Sequence, residues 1–393
     1  MKKVFMTCYG GGHVRIIEPL YHQLKDCCDV TILALTTAGD YLESKGVPFV
    51  RLSDFPELST SKSISYGEQL SANMSPSTVV PYKETVVYMG CSYAELVEEY
   101  GEEGAVRRYE ESGRQVFLPI KTFRFLLDKF SPDLVITTNS PRGERASLIA
   151  AKQLKIPALC INDGVWLIGG GDDKGVLDVA QQNLADTICV CSESVKDKLL
   201  AECPESSATI VVTGSPAFDF IKKLERKKTT VERAKVILYA DWSLPVHNGE
   251  HNYPDLRDEL REELNRLALE KSWDIIFRPH PSQEYSYDEY ENVKVSLPSE
   301  SLHNLLMEVD VVVTSFSTVG LEGRVAGTGL VSLENTIFSE MGSYADLGLS
   351  TGIYSVDELE AAIESELGKL KVKYALYEGI ASEHIAQIVL SQA

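Results

Sequence analysis

The sequence predicts an α/β protein built from two doubly wound, parallel-sheet units. Three observations carry that expectation. Short apolar strand-like runs alternate with helical patterns, which is the signature of a parallel sheet wrapped by helices. The rhythm occurs twice, with a basic, polar stretch between the two passes. The length of 393 residues suits two domains at about 100–200 residues each.

The first unit opens with an apolar strand over residues 3–8, the turn Tyr9-Gly10-Gly11-Gly12-His13, and a helix whose apolar face is Ile16, Ile17, Leu20 and Leu24. Further strands are expected at 30–35, 134–137, 158–161 and 187–190. Between residues 54 and 118 the rhythm fails: Ser and Thr cluster over 59–65, and acidic and aromatic residues run through 93–109. A helical insertion over about 55–118 is the expectation, and insertions beside active sites are often functional. The first domain spans 1–216, a linker follows over 217–233, and the second domain covers 234–375. Its strands are expected at 236–240, 274–277, 293–297, 309–314 and 329–333. Residues 376–393 form a C-terminal helix expected to cross back to the first domain. Ligands of such sheets lie outside the carboxyl ends of the strands, so two facing units place a ligand in the cleft between them.

Composition narrows the function. With 58 acidic residues against 38 Lys plus Arg, the formal charge of −20 repels phosphate backbones and disfavours nucleic-acid binding. No apolar run approaches the roughly 18 residues of a membrane span, and the run after Met1-Lys2-Lys3 is too short for a signal-peptide core. A cytoplasmic chain is expected. Lys222, Lys223, Arg226, Lys227 and Lys228 would form a small patch for the inner membrane face, against the ordinary reading of a solvated linker. The eight cysteines contain no C-x-x-C pair, which argues against a zinc site, and Cys160, Cys189 and Cys191 fall in strand-like stretches as small hydrophobes.

Four constellations carry chemistry. Gly11, Gly12 and His13 sit where a strand gives way to a helix, a position that favours negative charge or a polar ligand. Arg15 occupies the third glycine position of the dinucleotide fingerprint, so a nicotinamide cofactor is disfavoured. His13 is either a proton acceptor or a helix cap. Asn162-Asp163-Gly164 follows a buried strand and reads locally as turn chemistry, with Asp163 on the same carboxyl edge. Arg278-Pro279-His280-Pro281 ends a strand and holds an imidazole between two prolines, which suits phosphate binding. Ser315, Ser317 and Thr318 end the most apolar strand of the second half and start a helix, where capping and phosphate binding are compatible. Glu322 lies one turn into that helix, placed for ribose hydroxyls. The chain has no Asp-x-Asp and no P-loop motif.

Together these residues resemble GT-B glycosyltransferases. The Gly11-Gly12-His13 turn resembles the amino-terminal motif of MurG-like and UDP-glycosyltransferase-like enzymes. Residues 131–137, Ile156-Pro157 and Val212-Thr-Gly-Ser-Pro216 resemble the UDP-N-acetylglucosamine 2-epimerase branch. His280-Pro281, Ser315, Ser317-Thr318 and Asn162-Asp163-Gly164 are similar to motifs of bacterial sialyl- and Kdo transferases, and the first two patterns also to those of CDP-glycerol polymerases. Asn162 departs from the acidic residue that opens the family's Asp-Gly motif.

The resemblance implies the GT-B fold, two Rossmann-like domains facing across a cleft. It implies a metal-independent glycosyltransferase that needs no cofactor and moves a sugar from a CMP-, CDP- or UDP-activated donor to a glycan, lipid-linked or other hydroxyl acceptor, as in bacterial surface glycan synthesis. The general base is then Asp163 or His13, with Asp163 favoured because it accompanies His280 and Ser317-Thr318. Two other classes stay open: a 2-epimerase or nucleotide-sugar hydrolase, and a non-catalytic nucleotide-binding protein. Acceptor recognition is expected in the aromatic-rich stretch 82–109.

Overall fold

The computed structural model describes residues 1–392 except 73, 75–76, 140, 169–174, 225–232, 243–252, 254, 281–286, 298, 339–341 and 370–375. The chain divides into two units, Met1–Asp219 with Gly379–Ala393, and Phe220–Glu378. Each is built on a six-stranded sheet whose strand pairs are all parallel.

In chain order the first unit contains β1 (Lys2–Cys8), α1 (Gly12–Leu24), β2 (Cys28–Ala34), α2 (Ala38–Ser44), α3 (Ser61–Ser71), α4 (Tyr82–Ser112), α5 (Ile120–Phe130), β3 (Leu134–Thr138), α6 (Gly143–Leu154), β4 (Ala158–Ile161), α7 (Gly175–Gln181), β5 (Thr187–Val190), α8 (Glu193–Glu202) and β6 (Thr209–Val212). The short helix α9 (Asp219–Lys222) carries the chain into the second unit. The sheet order is β2-β1-β3-β4-β5-β6, so it reverses direction between β1 and β3. Val4, Met6, Leu134, Ile136, Leu159 and Ile161 are buried in one core cluster with Ile16, Ile17, Leu20 and Leu24 of α1. A strand buried on both faces needs an unbroken apolar run, which is what these short runs supply.

The stretch where the rhythm fails holds α3 and α4, which pack on each other. Gly90 and Gly67 lie at that contact, with Ser63 and Val86 backbone too near for a Cβ. The 31-residue α4 is interrupted at Gly101, where φ is 72°.

The second unit contains β7 (Val236–Ala240), α10 (Arg257–Lys271), β8 (Asp274–Arg278), β9 (Lys294–Val295), α11 (Leu302–Leu306), β10 (Val311–Thr314), α12 (Thr318–Ala326), β11 (Gly329–Leu333), β12 (Thr351–Ile353) and α13 (Leu359–Lys369). Its order is β12-β11-β10-β7-β8-β9, with the reversal between β7 and β10. The strand expected at 293–297 shrinks to two exposed residues at the sheet edge, where only β8 offers pairing. The strand expected at 309–314 begins at Val311. Asp310 is occupied instead with Arg233 and the Val236 amide. β6 in the first unit and β12 here are not among the expected strands: both are edge strands, of four and three residues, too short for a periodic signal.

The last helix, α14 (Ala381–Ser391), belongs to the first unit. Ile385, Ala386 and Val389 join the core beside α1. Asp219 accepts hydrogen bonds from the Ala381 and Ser382 amides, each 2.8 Å, and so satisfies two of the donors that a helix start leaves open.

All eight cysteines are free thiols, and only Cys27 is exposed. Burial pushes Cys189 and Cys191 up to about 12, and lifts Cys8 and Cys160 well above the usual thiol range with help from the nearby Glu144 carboxylate. Neutral thiols at these positions behave as core groups.

The second unit also shows why one helix needs glycine. A Cβ on Gly323 of α12 would stand 2.7 Å from the Thr328 hydroxyl and 2.8 Å from a Val312 methyl. Both neighbours are buried and cannot withdraw. Gly323→Ala is expected to cost about 1–3 kcal/mol, read as a lower denaturation midpoint.

Candidate active site

In a doubly wound sheet the ligand crevice lies at the carboxyl ends of the strands where the order reverses. In the first unit that point is between β1 and β3, and the chain places three turns there. The β1–α1 turn brings His13, the end of β3 brings Thr138, and the β4 turn brings Asp163.

The turn into α1 depends on Gly11, whose φ of 68° and ψ of −128° lie in a region that side chains avoid. Nothing lies within 4 Å of where a Cβ on Gly11 or Gly12 would stand, so both face open space. His13 follows within the first turn, its side chain 22% exposed.

The imidazole is held from one side. His13 Nδ1 lies 2.5 Å from Thr138 Oγ1 and 4.0 Å from Glu144 Oε1. The Thr138 hydroxyl donates a short hydrogen bond to Glu144 Oε2, and the Tyr9 amide donates to Glu144 Oε1 at 2.9 Å. Because the single Thr138 hydrogen is committed to the carboxylate, its oxygen can only accept from the ring, so Nδ1 carries the proton. Nε2 is then the lone-pair nitrogen. It faces Asp163 Oδ2 at 3.9 Å.

The Asp163 turn is itself organised. Its amide donates to Asn139 Oδ1 at 2.8 Å. The Asn162 side-chain amide donates to the carbonyls of Gly164 and Trp166 at 3.0 and 3.2 Å, and Cys191 Sγ donates to Gly164 O. The Asn-Asp-Gly stretch is thus both the turn that its composition suggested and the mount that turns Asp163 toward His13.

Glu144, Thr138 and Asn139 were not singled out from the sequence. Glu144 is wholly buried in the first turn of α6, and nothing in the run 139–144 distinguishes it from an ordinary acidic residue at a helix start.

A cavity of about 810 Å³ adjoins this cluster, with Thr138 and Asn139 among its lining residues. Its wall includes Leu96 and Tyr100 of α4 and the segment 114–118.

In the second unit the order reverses between β7 and β10, and the Thr314 hydroxyl donates to Ala240 O at 2.8 Å across that pair. Ser317 is the N-cap of α12 and accepts from the Val319 amide at 3.3 Å, and Thr318 is the first residue of that helix. Ser315 is buried and pairs with Leu333 O and the Thr336 hydroxyl at 3.2 and 3.1 Å, so it braces the strand end rather than facing outward. Glu322 binds His303 Nε2 at 2.9 Å, a partner that the sequence did not indicate. Arg278 gives its guanidinium to Ser296 Oγ, Leu297 O and Glu300 O at 2.7–3.3 Å, and partial desolvation lowers its pKa. It therefore staples the segment after β9. His280 lies two residues past β8, half-buried, whereas Pro281 lies outside the described residues.

Of the basic patch, Lys222 and Lys223 are described. Lys222 donates to Tyr377 O at 2.9 Å and lies over the Tyr377 ring, while residues 226–228 lie outside the described residues. Among the described residues no helix is long and apolar enough to cross a membrane.

Two parallel sheets of this order, each carrying its polar residues at its reversal point, define the chain as a GT-B fold protein. Solved structures agree over the whole length. The chain is similar to the UDP-GlcNAc 2-epimerase from Methanocaldococcus jannaschii, with 15% identity, a TM-score of 0.62 and 99% of both chains covered. It is similar to the Neisseria meningitidis UDP-GlcNAc 2-epimerase solved bound to UDP-GlcNAc, with 14% identity, a TM-score of 0.61 and 99% of this chain and 100% of that one covered. It is also similar to MurG from Acinetobacter baumannii, with 14% identity, a TM-score of 0.59 and 100% of both chains covered. Residues 176–322 match the family model of CDP-Glycerol:Poly(glycerophosphate) glycerophosphotransferase. That segment contains His280, Ser315, Ser317, Thr318 and Glu322. No curated protein matches the sequence. The solved structures support the fold, and the family match over residues 176–322 supports a transferase.

Proposed function

We propose that the protein is a metal-independent transferase that moves a group from a pyrimidine-nucleotide-activated donor, CMP-, CDP- or UDP-linked, to a hydroxyl acceptor. The group is a sugar, as the motifs imply, or a glycerol phosphate, as the matched family's description suggests. The observation that carries the reading is the buttressed imidazole: Glu144 and Thr138 orient His13 so that its lone-pair nitrogen faces outward beside Asp163. A module that only binds a nucleotide has no use for an oriented proton acceptor.

In the reaction, His13 Nε2 takes the proton of the acceptor hydroxyl as its oxygen attacks the transferred group. The bond from that group to the nucleotide phosphate breaks, and the phosphate leaves with the electron pair. Asp163 steadies the imidazolium that forms. This assigns the base to His13, with Asp163 as its electrostatic partner, because the His13 ring itself is hydrogen-bonded by an orienting chain, whereas the Asp163 turn is held through its backbone. The Ser317 and Thr318 hydroxyls, the amides at the start of α12, and His280 hold the departing phosphate by hydrogen bonds and the helix dipole. Glu322, backed by His303, takes ribose hydroxyls. Work on a peripheral membrane acceptor in surface-glycan synthesis remains part of the reading.

The test is calorimetry in EDTA against CMP, CDP, UDP and NAD. One pyrimidine nucleotide should bind, and Ser317→Ala and His280→Ala should each weaken it by about tenfold, the worth of a hydrogen bond to a charged group. Binding of NAD alone, or of none of the four, sinks the proposal. Release of free sugar or of an epimer without acceptor would move the chain to the hydrolase or epimerase class.

A further inference from the structure

The cavity in the first unit contains more positive charge than an acidic chain predicts. Arg114, Arg142 and Arg145 all line it, against Glu99 and Asp178. Arg145 and Asp178 neutralise each other at 2.6 Å. Glu99 is exposed at the rim and engages the Tyr100 hydroxyl. Among the described residues no carboxylate lies within ion-pair distance of Arg114 or Arg142.

Arg142 is also the wrong residue for its backbone. It is the N-cap of α6 with φ 68° and ψ −114°. The N-cap of α1 has nearly the same geometry and is Gly11. A side chain at such a position is strained, and strain of this kind persists where the side chain has a task. Here the guanidinium lies over the Tyr9 ring at 4.8 Å, and the Tyr9 hydroxyl is fixed by Tyr88 and the Gly143 amide. Arg142 lines the same cavity as Thr138 and Asn139, the residues bonded to the His13 ring and the Asp163 amide.

We propose that this cavity is the acceptor site and that it selects hydroxyl compounds carrying a phosphate or carboxylate, with Arg114 and Arg142 holding the oxyanion. The identification of the occupant as acceptor rests on the transferase reading. Guanidinium forks bind either oxyanion through paired hydrogen bonds, and that is the chemistry the two share.

The full chain should be titrated with glycerol 3-phosphate, N-acetylneuraminate and neutral glycerol. At least one anion should bind about tenfold or more tightly than glycerol, and which one does so names the source of the oxyanion. Arg114→Gln and Arg142→Gln should each remove most of that preference, whereas Arg124→Gln, outside the cavity, should not. Arg142→Gly keeps the experiment decisive if the glutamine variant folds poorly. Glycine suits the backbone, so this variant should melt no lower than the parent and still lose the anion. No preference for either anion, or a preference that survives both arginine replacements, overturns the inference. A nucleotide titration on the same samples separates the two readings: nucleotide binding without anion preference rejects the acceptor site alone, and loss of both rejects the transferase as well.

Discussion

His13→Ala is expected to lower transfer turnover by about 100- to 10,000-fold, the range for loss of a positioned proton acceptor. Nucleotide affinity should stay nearly unchanged, because His13 belongs to the first unit and the residues assigned to the nucleotide belong to the second. The alternative base gives the opposite ranking. If Asp163 takes the proton, Asp163→Asn is the more damaging change; if it only steadies the imidazolium, His13→Ala is. Thr138 offers a third check through positioning. Thr138→Val keeps the shape but removes the oxygen that accepts from Nδ1, so the ring loses its fixed tautomer and turnover should fall by about tenfold or more. Thr138→Ser restores the hydroxyl and should recover it. A structural role alone would make valine and serine equivalent. Equal activity of His13→Ala and the parent in single-turnover transfer would remove the imidazole from the mechanism.

Glu366→Gln is expected to destabilise the second unit by about 3–5 kcal/mol, the cost of stranding one partner of a buried ion pair. Glu366 is 1% exposed and accepts from Arg324 Nη2 at 2.8 Å, the Leu330 amide at 3.1 Å, the Thr351 hydroxyl at 2.6 Å and Lys369 Nζ at 3.1 Å. Arg324 is equally enclosed, and its other donors go to the carbonyls of Leu349 and Thr328. The cluster ties α12 and α13 to β11 and β12. Burial pushes the Glu366 carboxyl upward, but the Thr351 hydroxyl, Arg324 and Lys369 outweigh it and leave the pKa below the ordinary value. A depressed carboxylate contributes stability that is complete above its unfolded-state pKa and lost as pH falls through the native value. Acid unfolding of the parent should therefore include a step below the ordinary carboxylate range that Glu366→Gln lacks. Replacing both partners, Arg324→Met with Glu366→Leu, should cost less than either polar loss alone, since no buried charge is left behind. Denaturant midpoints of the three variants test the ranking.

What was legible in the sequence was the local physics. Parallel strands buried on both faces need continuous apolar runs, and those runs announced ten of the twelve strands found among the described residues. The glycine turn before His13 and the Asn-Asp-Gly turn before Trp166 announced two corners at the carboxyl ends of strands, because only special backbone geometry needs such residues. Edge strands were the weak point. The two strands without an expectation, β6 with four residues and β12 with three, lie at sheet edges and are too short for a pattern that can be read along the chain, and β9 forms over only two residues of its expected range.

The site was half legible for a related reason. His13 and Asp163 stand out by type and position, yet their separation of 150 residues says nothing about distance. Glu144, Thr138 and His303 matter only through partners that the fold brings to them. Arg278 and Ser315 show the converse, since both looked like ligand groups and both are spent on the protein's own loops and strands. Where strands end and which polar residues wait there follow from the chain alone, since those depend on neighbours along it. Which of them meet is set by strand order, β1 beside β3 and β7 beside β10, which brings together residues that are far apart in the chain.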